Sequence, residues 1–79
     1  MTAAGPVYLG QALTARELEV LRLLASGRDT AGIARELHLS PHTVKTHIGR
    51  LLGKLGGATR AHGVALGYER ELLRPGAAR

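Results

Sequence analysis

The amino-acid sequence predicts an all-α domain of four short helices. Apolar residues recur at spacings of three and four, a side-chain cap precedes each run, and Gly or Pro follows three of the four runs. No segment shows the strict alternation of a half-buried strand.

The first helix is signalled by LTARELEVLRLLASG. Thr14 followed three residues later by Glu17 forms a capping box, in which hydroxyl and carboxylate satisfy orphan backbone donors reciprocally, and Leu13 with Leu18 forms the accompanying hydrophobic staple. Leu18, Leu21, Leu24 and Ala25 then repeat at helical spacing, and Gly27 supplies a left-handed stop, giving a helix over about 15–26. Asp29 caps a second helix over 30–37 whose apolar face is Ile33, Ala34 and Leu37. A helix this short is unstable alone, so tertiary packing must hold it. Ser40 caps a third helix over 41–55, with Pro41 at the first helical position and Gly56 and Gly57 after its end. Thr59 caps a fourth over 60–73, stopped by Pro75 and Gly76, with an apolar stripe of Ala61, Val64, Ala65, Tyr68 and Leu72. Residues 1–12 lack periodicity and read as a flexible leader, 13–74 as the domain, and 75–79 as a flexible tail.

A chain of 79 residues makes one domain at most and has few residues to spare for an enclosed pocket, so binding at a surface is the better expectation than catalysis. Tyr8 and Tyr68 are the only aromatics, so the core is aliphatic. Absence of Cys removes disulfides and thiolate zinc sites and fits a reducing compartment. No apolar run approaches the roughly 20 residues of a membrane span and no signal sequence opens the chain, so we read it as cytoplasmic, without a membrane partner. His38, His42 and His47 do not converge with a carboxylate at a ligand spacing, and no phosphate-binding Gly loop or activated nucleophile is present. Neither metal, cofactor, small-molecule ligand nor enzymatic activity is expected.

The net charge is +5, and its distribution matters more than its size. From Leu37 to Tyr68 there is no Asp or Glu, while Lys45, Arg50, Lys54 and Arg60 all lie there. On a wheel of about 100° per residue, Val44, Ile48, Leu51, Leu52 and Leu55 occupy one arc of the third helix. The opposite arc carries His42, Lys45, Thr46, Gly49, Arg50 and Gly53, with Thr43, His47 and Lys54 along its flank. The second helix, a short turn and this third helix make a helix-turn-helix, whose second member enters the major groove of duplex DNA. Ala34 is small where the two helices approach, and His38 stands where such turns often have Gly in a left-handed conformation.

Lys45 and Arg50 can donate to guanine O6 and N7, and Thr46 can set its methyl against that of thymine. His42 and Gly49 share that base-facing arc. Ser40, Thr43, Lys54 and Arg60 suit phosphates, as does the border residue His47. Gly49 and Gly53 each cost the helix about 0.8–1 kcal/mol relative to Ala, which close approach of backbone to DNA would offset.

Three segments together, LTARELEVL, IARELHLS and TVKTHIGRLLGKL, resemble the DNA-binding domain of LuxR-type (FixJ/GerE-like) transcription regulators, over about Leu13 to Leu73. The resemblance implies a four-helix module whose third helix reads the groove, with Lys45 and Thr46 facing bases and Thr43 and Lys54 near the backbone. It implies a homodimer through the fourth helix, with Ala61, Val64, Ala65, Tyr68 and Leu72 at the contact, and the role of a response-regulator output domain. RNA polymerase is a further expected partner. Two departures stand out: Gly49 replaces a frequently basic residue, and Thr30, Ala31 and Gly32 replace an Asn-Lys-Glu run. Two other readings stay open at this point, a sigma-factor-like promoter-reading module bound as a monomer and a protein-interaction adaptor with a basic face.

Overall fold

The structure is a computed structural model and describes residues 10–75. Residues 1–9 of the expected leader and 76–79 of the expected tail lie outside the described residues. Four helices follow in order: α1 (Ala15–Ala25), α2 (Thr30–Leu37), α3 (Pro41–Leu55) and α4 (Arg60–Glu69). No strand occurs among the described residues.

The caps explain where the helices start. Thr14 Oγ1 accepts from the Glu17 amide at 3.1 Å, and Glu17 Oε1 accepts from the Thr14 amide at 2.9 Å, which closes the capping box. Asp29 Oδ1 accepts from Gly32 N at 2.8 Å at the head of α2. Ser40 caps α3 ahead of Pro41, and Thr59 caps α4 through the His62 amide at 3.1 Å. The turn between α2 and α3 passes through His38 at φ 56, ψ 44, the left-handed conformation expected there. Its neighbour Leu39 donates to the Ala34 carbonyl at 2.9 Å, which fixes the angle at which α3 departs.

Helix α3 is the central element, packing against each of the other three. Val20, Leu21, Ile33, Val44 and Leu51 are fully enclosed, with Ala34, Ile48, Leu55 and Leu73 completing the buried set. Val20 was not in the stripe read from the sequence. Helix α1 faces both α3 and α4, so its buried arc is wider than one partner would require and includes Glu17, Val20 and Leu21.

The C-terminal end differs from expectation. Helix α4 stops at Glu69 instead of continuing to Leu73. Glu71 takes a left-handed φ of 61, and the amides of Leu72 and Leu73 both return to the Gly67 carbonyl, at 2.8 and 3.2 Å. The reversal buries Leu73, which a straight continuation would have carried away from the core; burying a Leu is worth about 1.5–3 kcal/mol, more than the roughly 1–2 kcal/mol that a left-handed residue costs. Gly67 makes it possible, because a Cβ there would stand 2.9 Å from Leu73 Cδ1 and 3.0 Å from Leu21 Cδ2. Gly63 plays the same part against Leu52, whose Cδ2 occupies the space a side chain would need.

Candidate nucleic-acid interface

Helix α3 divides as its sequence period requires. Val44, Ile48, Leu51 and Leu55 are buried and Leu52 is half-buried, while His42, Lys45, Thr46, Gly49, Arg50 and Gly53 are exposed on the opposite face. Among the described residues no carboxylate pairs with Lys45 or Arg50. Their charges therefore stand unopposed in water, and the exposed surface of α3 carries no acid. Thr46 Oγ1 turns back to donate to the His42 carbonyl at 3.1 Å. At Gly49 a Cβ would meet nothing within 4 Å, so nothing inside the protein demands glycine there.

The N-terminal end of α3 carries a small hydroxyl relay. Ser40 Oγ accepts from Thr43 N at 3.1 Å and donates to Thr43 Oγ1 at 2.9 Å. Ser40 has thereby spent its proton within the cap, whereas the Thr43 hydroxyl keeps its own as a donor at the helix entrance. The amide ends at this terminus also favour an anion. His47 is half-buried at the edge of the same face.

Arg60, at the start of α4, donates from Nη2 to Thr30 Oγ1 at 2.6 Å. This bond joins residues thirty positions apart and seats a guanidinium beside the first turn of α2. Nothing in the sequence pattern pairs Thr30 with Arg60, and only the fold brings them together.

Lys54 corrects the sequence reading. It was expected on the flank of α3 against phosphate, but the structure buries it at 7% exposure, with Nζ 2.6 Å from Glu17 Oε1 and 3.2 Å from the Ala12 carbonyl. The cause is α1: the capping-box carboxylate of Glu17 is itself buried, and a buried carboxylate must be neutralised or paired. Burial alone pushes the Glu17 carboxyl up, but the Lys54 hydrogen bond, the Thr14 amide and the Lys54 charge outweigh it and hold it below its ordinary value of 4.5. The signal was present in the sequence as a carboxylate placed among apolar residues of α1, a position that calls for a cation. The same lysine ties down part of the expected leader, since Gly10 N donates to the Lys54 carbonyl at 3.1 Å.

On helix α4, Ala61 and Ala65 are exposed and Val64 and Tyr68 half-buried. Leu72, placed with them by helical spacing, lies beyond the helix end and is half-buried after the chain reversal. Gly63 and Gly67 are the buried residues of α4, and Val64, Leu66, Tyr68 and Leu72 all pack partly against the buried cluster, so the predicted stripe is shared between the core and the surface.

These features define an all-α helix-turn-helix domain whose third helix has a cationic, acid-free exposed face. Residues 11–66 match the model of the GerE family, bacterial regulatory proteins of the luxR family. The chain belongs to that family, one of DNA-binding transcription regulators and not an enzyme class. It is 49% identical over 61 residues to the probable transcriptional regulatory protein NarL of Mycobacterium tuberculosis, covering 77% of this chain and 28% of that protein. It is 37% identical over 65 residues to the response regulator protein VraR of Staphylococcus aureus, covering 82% of this chain and 31% of that one. Among solved structures, the response regulator ChrA of a heme-sensing two-component system superposes with a TM-score of 0.77 at 36% identity, over 80% of this chain and 31% of that one. The Vibrio cholera VqmA–ligand–DNA complex gives 0.74 at 30% identity, over 100% of this chain and 35% of that one. The chain thus spans about a third of the length of the relatives it matches. No helix among the described residues is long and apolar enough to cross a membrane.

Proposed function

We propose that this domain binds duplex DNA in a sequence-specific manner as the DNA-reading part of a transcription regulator, with α3 in the major groove. The observation that carries the proposal is the exposed face of α3, where Lys45 and Arg50 stand without a carboxylate partner around the bare backbone of Gly49. Family membership supports it over both the sigma-factor-like and the adaptor readings. A structural neighbour solved with DNA supports it further.

Lys45 and Arg50 are assigned to base edges, with Thr46, His42 and Gly49 beside them. Thr43, Arg60 and His47 are assigned to phosphates; Ser40 serves mainly as the cap that orients Thr43, and Lys54 leaves the set. The binding unit comprises residues 10–74, because the bonds from Lys54 bring Gly10 and Ala12 into the folded body. Helix α4 offers Ala61, Val64, Ala65 and Tyr68, with Leu72 beyond its end, as the contact for a two-fold dimer, whose half-sites would lie about one helical turn apart. In the longer relatives' context this unit would act as a response-regulator output domain working alongside RNA polymerase inside the cytoplasm.

Selection of preferred sequences from random duplexes tests the proposal. The expected result is a two-fold symmetric site, bound with an affinity that falls as salt rises, as release of counterions from neutralised phosphates requires. Binding that selects no sequence, or that is insensitive to salt, would overturn it.

A further inference from the structure

We propose that Thr46 is a methyl reader, whose γ-methyl packs on the 5-methyl group of one thymine in each half-site while its hydroxyl takes no part in base recognition. The inference rests on α3 lying in the major groove, as proposed above. Its starting point is the bond from Thr46 Oγ1 to the His42 carbonyl at 3.1 Å, one helical turn back along α3. A hydroxyl has a single proton, and this one is used inside the helix. A guanine, adenine or thymine acceptor would have to draw that proton away from a carbonyl already in place. With its proton committed, the hydroxyl can act toward a base only as an acceptor, from adenine N6–H2 or cytosine N4–H2, a use that Thr46→Val below would expose; the group that Thr46 presents free of any bond is its methyl.

The surroundings favour the same use. Thr46 is exposed, and the residue three positions on, which would otherwise flank it, is Gly49, with open space where a Cβ would stand. Its neighbours on the face, His42, Lys45 and Arg50, end in polar groups and supply hydrogen-bond donors for adjacent bases. Thr46 therefore holds the one methyl group on that face. Thymine is the base that displays a methyl in the major groove, so an apolar contact at this point selects it.

The test needs a site selected from random duplexes and the full 79-residue chain. Each thymine of the site is replaced in turn by deoxyuridine, which removes the 5-methyl and leaves base pairing and the O4 acceptor intact. One thymine per half-site should weaken binding by roughly four-fold, the worth of one methyl-sized apolar group removed from water, and the others should not. Thr46→Val keeps the methyl and drops the hydroxyl, and should retain both affinity and sensitivity to deoxyuridine. Thr46→Ser keeps the hydroxyl and drops the methyl; it should lose a similar factor and become indifferent to deoxyuridine at that position. Selective binding in which no thymine responds, or in which Thr46→Val loses as much as Thr46→Ser, overturns the methyl assignment alone. A chain that selects no sequence overturns the groove placement with it.

Discussion

Replacing Lys54 with Met removes the charge from a side chain of similar length. Its consequence separates a lysine that holds the fold from one that holds DNA. Lys54 and Glu17 are 7% and 3% exposed, and their 2.6 Å contact is the only buried ion pair among the described residues. Without the ammonium, Glu17 keeps the Thr14 amide but is otherwise a carboxylate shut away from water. Removing one partner of a buried pair costs about 3–5 kcal/mol; the retained Thr14 bond puts the expected loss near the lower end, about 3 kcal/mol. The Ala12 carbonyl loses its donor as well, which loosens the segment entering α1. Against the roughly 5–15 kcal/mol stability of an ordinary domain this is a large fraction, and in a chain of this size it lowers Tm by at least about 12 °C. Urea unfolding followed by far-ultraviolet circular dichroism measures it, and the Glu17→Gln, Lys54→Met double variant should recover part of the loss. The reasoning is refuted if Lys54→Met unfolds within about 0.5 kcal/mol of the parent while its salt slope for DNA falls by about one.

Acid should weaken the parent through the same pair. The depressed Glu17 carboxyl means that the unfolded chain binds a proton more readily than the folded one, so this contribution is complete above about pH 4.5 and is lost as pH falls through the lower folded value; urea midpoints measured from neutral pH downward should show that loss, reduced in Lys54→Met. One substitution at two glycines should give opposite signs: Gly49→Ala, in open space, should stabilise the free protein by about 0.8–1 kcal/mol and weaken DNA binding, whereas Gly67→Ala, crowded by Leu73 and Leu21, should destabilise it by about 1–2 kcal/mol net. Equal effects of the two on unfolding would contradict the packing assigned to α4. Ala65→Glu should abolish the preference for paired half-sites over single ones and leave single half-site affinity within about two-fold; analytical ultracentrifugation with each duplex reads this directly.

Local signals made most of the fold legible. The bounds of α2 and α3 follow from Asp29, Ser40, Pro41 and Gly56, because caps and stops act on their own helix and depend little on what packs against it. The left-handed His38 was legible for the same reason. What was not legible depends on contacts between distant segments. The true end of α4 lies at Glu69 because Leu73 is drawn back onto Leu21, a packing event that no helical period encodes. The exposed polar arc of α3 emerged as its period predicted, but a flank residue such as Lys54 can turn either way, and its direction was decided by Glu17 on another helix. Arg60 meeting Thr30 belongs to the same class of long-range pairing.

The central claim is that the polar face of α3 is the surface that meets duplex DNA. Amide and side-chain chemical shifts recorded while a selected duplex is added to the labelled chain test it most directly. The account predicts that His42, Lys45, Thr46, Gly49 and Arg50 shift first and furthest, with Thr43 and Arg60 following and the buried Val20 and Leu51 little changed. Shifts concentrated on another surface, with those α3 residues unmoved at saturation, would contradict it.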